Sequence, residues 1–154
     1  MRETLSYRLA RVGRAASNAY AARLQRLGLR PLHVRLLTAI ASADRAPQNE
    51  HAAELGVTSG FVVRLADDLE RLGAITRQRD AQDRRRQYLV LLPAGKSLLQ
   101  EATQVLTELD QELARDLSKT ALARLTASLD VVTATVTSEE YAVAADPLAS
   151  ASNP

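Results

Sequence analysis

The chain has 154 residues, 46% apolar and 25% charged, which suits one core-bearing domain with helical extensions. Cysteine is absent, excluding disulfides, thiolate chemistry, thiol redox sensing and cysteine-based zinc sites. Net charge is only +2 and aromatics make up 3%, so any charge effect is local and the core must come from Leu, Val, Ile and Ala.

Leu5, Leu9, Val12, Ala16, Tyr20, Leu24 and Leu27 recur at three- and four-residue steps, which predicts one long helix from about Glu3 to Leu27, ended by Gly28. Its other face carries Arg8, Arg11, Arg14, Arg23 and Arg26. A stripe this long exceeds what one small domain can cover, so a partner helix is expected. Pro31 suits a first helical turn. Val34, Leu37, Ile40 and Ala41 then mark a second helix over 32–43, nearly apolar all round and hence central. Arg45-Ala46-Pro47 reads as a connector, and a short helix over 49–55 is closed by Gly56. Thr58 or Ser59 can cap the next helix, which reaches Leu72 with Val62, Leu65, Leu69 and Leu72 inward and stops at Gly73. Two helices joined by a short glycine-containing turn form the helix-turn-helix pattern, too common to establish DNA binding alone.

The next stretch has two strand-like runs joined by a polar tip, which reads as a hairpin whose second apolar run is Tyr88 to Leu92. Arg77, Arg79, Arg84, Arg85 and Arg86 crowd this hairpin against only Asp80 and Asp83. An isolated fold gains nothing from so much like charge, so a negatively charged partner is implied, nucleic acid first. Helix-turn-helix plus basic hairpin is a winged helix, far more specific than either part. After Pro93 a long helix is expected to about Leu117, with Leu98, Ala102, Val105, Leu109 and Leu113 at core spacing. Ser118 to Thr120 breaks it, and Leu122, Leu125, Leu129, Val132 and Val136 mark a last helix. The tail DPLASASNP, 146–154, has no apolar period and is expected to be disordered. The expected fold is mainly α with a small β-hairpin: a winged helix-turn-helix over 31–95, flanked by long helical segments over 1–30 and 96–145.

From about Leu27 to Leu99 the chain resembles the MarR family of bacterial transcriptional regulators. The residues that carry the resemblance are LGLRPLHVRLLTAI, AAELGVTSGFVVRLADDLERLGAITR and, most specifically, DRRRQYLVLLPAG. The family's wing reads Asp-x-Arg followed by a strand ending in Leu-Thr-x-x-Gly. Asp83 and Arg85 fill the first pair, and Leu91 and Gly95 match the second. The resemblance implies a homodimer, joined through its long end helices, that lays recognition helices in successive major grooves of double-stranded DNA with wings in flanking minor grooves. It places Thr58, Ser59, Gly60 and Phe61 at the opening of the recognition helix and Val63 and Arg64 on its exposed face. It makes Arg85 the wing-tip arginine, oriented by Asp83, with Arg84 and Arg86 beside it. The departures are Leu92 and Arg30 in place of helix-capping threonines, His51 in place of a buried leucine, and Asp68 where a basic residue is frequent. Phe61 stands at a usually small polar position, either to pack on a thymine methyl or to turn inward. The family binds small aromatic acids between dimer helices and DNA-binding lobe. Arg11, Arg14 and His33 are the candidate effector residues here, against the plainer reading of exposed arginines and a polar helix start.

His33 and His51 are the only imidazoles, and two distant histidines without cysteine make a poor metal site, so no metal or other cofactor is expected. Asp67-Asp68 and Glu139-Glu140 are sequence neighbours whose side chains diverge by about 100° on a helix. No Ser-His-Asp spacing, glycine-rich phosphate loop or dinucleotide fingerprint occurs, and an enzyme is not expected. No run of about 18 apolar residues predicts a membrane span. The opening MRETLSYRLARV does not read as a secretory signal, which leaves the cytoplasm as the expected location. Two rival readings stay open: a basic helical module that docks an acidic protein, and a nonspecific architectural DNA binder.

Overall fold

The computed structural model describes residues 4–42, 46–80 and 86–137. Thr4 caps the first helix, its hydroxyl accepting the Tyr7 N–H at 3.4 Å, and α1 runs Leu5–Leu24. A short 3₁₀ turn, Gln25–Leu27, carries the chain onto Gly28 at φ 69°. Helix α2, Pro31–Ser42, buries His33, Leu36, Leu37, Ala39 and Ile40, while Ala41, expected inside, is exposed. Helix α3, Gln48–Leu55, ends on Gly56, whose φ of 67° is the left-handed conformation that side chains disfavour. Thr58 rather than Ser59 caps helix α4, Ser59–Arg71, by accepting the Phe61 N–H at 3.3 Å. Val62, Leu65 and Leu69 are buried as expected, but Leu72 is 41% exposed. The helix ends at Arg71, so Leu72 leaves the helical register before its period can turn it inward.

Strand β1, Ile75–Arg79, pairs antiparallel with β2, Gln87–Leu91, in a register from Ile75↔Leu91 to Arg79↔Gln87. Asp80 N–H donates to the Arg86 carbonyl at 3.0 Å, closing the hairpin neck. The Tyr88 hydroxyl donates to Asp80 at 2.7 Å, and Pro47 forms an isolated bridge with Tyr88 that ties the start of α3 to the hairpin. Helix α5 then runs Pro93–Ala114.

One compact unit, Met1–Asp110, holds a single core in which Leu24, Leu36, Leu37, Val62, Leu65 and Leu69 are at most 1% exposed. Truncating any of these leucines to alanine costs about 2–5 kcal/mol, so α2 and α4 are held by packing rather than by helix propensity. The second unit, Gln111–Pro154, contains the last turn of α5 and helix α6, Lys119–Val136. Ser118 caps α6 through the Ala121 N–H at 3.2 Å, and α6 buries no residue. Leu113, expected in the core, is 57% exposed, because the helical period continues past the end of the first unit.

Candidate nucleic-acid interface

Helix α4 turns Val62, Leu65, Ala66 and Leu69 into the core, which leaves Ser59, Gly60, Val63, Arg64 and Asp67 exposed on its other side. Thr58 is exposed too, with its hydroxyl accepting the cap bond. Phe61 is half-buried, and its ring packs against the core cluster. The Arg64 guanidinium lies over the Phe61 ring at 5.3 Å from its centre, a cation–π contact of about 0.5–1 kcal/mol at an exposed site.

Arg77, on β1, fixes the hairpin to this helix. Its guanidinium donates to Glu70 Oε2 at 2.5 Å, to Asp67 Oδ1 at 2.6 Å and to the Val63 carbonyl at 3.2 Å, and its backbone N–H reaches Glu70 Oε1 at 3.3 Å. Three anchor points along α4 set where the wing's base starts. Arg77, counted in the sequence among the hairpin's partner-seeking arginines, is thus paired with two acids of α4. Arg79 is exposed on the strand and Arg86 is exposed at the neck. Asp83, Arg84 and Arg85 lie outside the described residues.

A second network joins α4 to the start of α2, and two of the sequence's departures, Arg30 and Asp68, meet in it. Arg30 brings no capping side chain of its own; instead His33, three residues on, accepts the Arg30 backbone N–H at Nδ1, 3.1 Å away. This is the return half of a capping box with imidazole in place of glutamate. A backbone N–H only donates, so Nδ1 is the acceptor and Nε2 carries the proton, which reaches Asp68 Oδ2 at 3.2 Å. The guanidiniums of Arg30 and Arg71 both donate to the same Asp68 carboxylate. Burial and the nearby Arg30 charge push the His33 pKa below its usual value, against the pull of Asp68. Desolvation pushes the Asp68 pKa up, but the His33 hydrogen bond and the charges of Arg71, His33 and Arg30 outweigh it and leave the net shift downward. At the hairpin, hydrogen bonding to Asp80 raises the Tyr88 pKa.

The three effector candidates are not brought together. Arg11 and Arg14 line an open groove along α1 with Tyr7 and Asn18. His33 is 2% exposed with both ring nitrogens engaged in the Asp68 network. A more apolar cavity of about 610 Å³ lies among α2, β2 and α5, lined by Ile40, Leu91 and Leu99 with Lys96 as its cation. The sequence reading missed this cavity and the Asp68 network. The His33 position at the third residue of a helix was a readable capping signal, whereas the Arg30–Asp68 pair spans 38 residues and has none. Among the described residues no group of three or more metal-ligating side chains occurs, and no helix is long and apolar enough to cross a membrane.

A capped helix-turn-helix whose second helix is pinned to a two-stranded hairpin defines a winged-helix protein. The family model for the MarR family matches residues 12–86. An uncharacterized HTH-type transcriptional regulator, YcgE of Bacillus subtilis strain 168, is 31% identical over 98 residues, and the match covers 64% of this chain and 64% of that protein. The crystal structure of MepR, a transcription regulator of the Staphylococcus aureus multidrug efflux pump MepA, superimposes with a TM-score of 0.75 at 25% identity, over 87% of this chain and 99% of that one. The transcriptional repressor CouR bound to a 23-mer DNA duplex gives a TM-score of 0.74 at 25% identity, over 85% and 93%. Over residues 12–86 the chain is similar to the MarR family, and its fold matches that of these solved regulators.

Proposed function

We propose that this protein is a cytoplasmic, homodimeric, sequence-specific DNA-binding regulator of transcription, acting as a repressor on a palindromic operator. The observation that carries the reading is the joint placement of the exposed α4 face and the basic hairpin, fixed to each other by Arg77. Ser59, Gly60, Val63 and Arg64 meet base edges, while Arg84, Arg85 and Arg86 at the wing contact phosphates and the minor groove, with Asp83 orienting Arg85. The DNA-bound CouR structure supports this docking by likeness of fold. Arg85→Ala should weaken operator binding by about 1–3 kcal/mol and lower the slope of log affinity against log salt by about one. An unchanged affinity removes the wing from the mechanism, and a flat salt slope in the parent protein removes phosphate contact altogether.

Release by a small aromatic acid completes the proposal. Arg11 and Arg14 offer guanidiniums for its carboxylate along α1, and the apolar cavity beside Lys96 offers a second seat. A thermal-shift screen of aromatic acids against Arg11→Ala/Arg14→Ala and Lys96→Ala variants assigns the seat by which variant loses the shift.

A further inference from the structure

Four arginines border the exposed side of α4, and they are not equivalent. Arg30 and Arg71 share the Asp68 carboxylate. Arg77 is held between Asp67 and Glu70. Arg64 has no carboxylate partner among the described residues, and what holds it is the face of the Phe61 ring. The difference is chemical. A carboxylate takes up the N–H fork of a guanidinium, the same donors that would read a base or a phosphate. An aromatic face contacts the flat π surface and leaves the in-plane N–H groups unused. The groove that Arg64 shares with Arg30, Asp68 and Arg71 opens beside Phe61, so the fork, with no carboxylate partner among the described residues, stands at the protein surface.

We infer that Phe61 is a positioning residue for sequence recognition: its ring, half-buried against the core, holds the Arg64 guanidinium with its donor edge available for a bidentate contact with O6 and N7 of a guanine in the major groove. The inference rests on the DNA-binding reading above and adds a base and a division of labour within it. Arg64 supplies the specific contact. Arg30 and Arg71, neutralised in part by Asp68, do not discriminate among bases. Phe61 thereby explains its own presence at a position where the family keeps a small polar side chain.

The test is selection of bound sequences from a pool of duplexes with randomised centres, followed by competition binding of the selected duplex against random duplex. The parent protein should select one invariant G·C pair in each half-site. Arg64→Ala should lose roughly ten-fold in preference for that pair. Phe61→Leu should lose most of the same preference while its affinity for random duplex and its salt slope stay at parent values. Phe61→Tyr, which keeps the ring, should restore the preference. In the Arg64→Ala background, Phe61→Leu should have no further effect on base preference. Thermal melting of each variant separates a folding defect, which Phe61→Tyr also controls for. The inference is overturned if Phe61→Leu retains the full G·C preference, if it weakens all duplexes equally, or if Phe61→Tyr behaves like Phe61→Leu. A parent protein that retards no duplex overturns the DNA-binding reading itself, which is a different result from selective binding without an invariant G·C pair.

Discussion

His33 illustrates how much a single buried side chain can hold. Its Nδ1 closes the start of α2 and its Nε2–H reaches across to α4, so the neutral ring is the only form that satisfies both bonds. Protonation would put a second donor against the Arg30 N–H. The folded pKa lies below the ordinary value of 6.5, so between these two values the unfolded chain binds a proton that the folded chain refuses. The stabilisation is therefore complete above pH 6.5, declines as pH falls from there to the folded pKa, and levels off below it. Thermal melts of the parent and of His33→Gln across this range should differ in slope, the variant losing the decline; parallel curves refute the assignment. The partner Asp68 separates buried from exposed contributions. Its contacts with Arg30 and Arg71 involve side chains 62% and 75% exposed, and such pairs are worth about 0.2–1 kcal/mol each. The bond to buried His33 leaves an unsatisfied donor when removed, at about 1–3 kcal/mol. Asp68→Ala should cost about that amount. Asp68→Asn, which keeps an acceptor oxygen for Nε2–H, should cost less than about 1 kcal/mol. Equal losses in the two variants, by denaturant unfolding, would shift the weight to the arginines. Beyond the capping signal of His33, the sequence showed this network only as two unexplained departures, Arg30 and Asp68, because a pair 38 residues apart leaves no periodic or local signal.

At the scale of elements, the close approach of α5 to the hairpin depends on Gly95. A Cβ there would overlap the Ala74 carbonyl oxygen and stand 2.7 Å from Leu91 Cδ1. The carbonyl cannot withdraw freely, because it accepts the Leu92 N–H at 2.9 Å. Gly95→Ala should destabilise the fold by about 1–3 kcal/mol or more, read from the denaturant midpoint. A neutral outcome would mean that α5 can slide along the hairpin. The glycine was visible in the sequence as part of the motif ending the wing, but its reason was not, since backbone proximity leaves no mark in residue type beyond the missing side chain. Helix starts, glycine stops and the presence of the hairpin were legible because turn and cap chemistry acts within three or four residues; its register was not. The inward set was legible only while the helix lasted: Leu72 and Leu113 continued a correct period past the end of α4's helix or of the first unit's core. Arg77 carries the other coupling between elements. Arg77→Leu should raise hydrogen exchange in β1 and weaken duplex binding while α2 keeps its protection, and unchanged exchange in β1 would show that the strand pairing alone holds the wing.

For the whole molecule the decisive quantity is apolar surface left over. In the second unit Leu113, Leu117, Leu122, Leu125, Leu129, Val131 and Val136 are between 40% and 69% exposed, and in α1 Leu5 and Val12 are 63% and 60% exposed. Isolated exposed leucines are ordinary, but a helix with an apolar residue every three or four positions and none buried marks a surface made for another chain. A second copy is the partner that makes sense of a DNA-binding lobe, since two-fold pairing supplies two reading heads for a palindrome. In the proposed dimer those heads have to stand about 34–36 Å apart to enter successive major grooves, which assigns the spacing to the helical ends and the reading to the lobes. Leu122→Glu/Leu129→Glu should therefore yield a chain that sediments as a monomer. Its lobe should stay folded by melting and by protection of α2 and α4, while operator affinity falls toward the weak, sequence-independent level of a single head. Sedimentation of this variant as a dimer would move the interface to another face, and a monomer that keeps full operator affinity would defeat two-fold recognition.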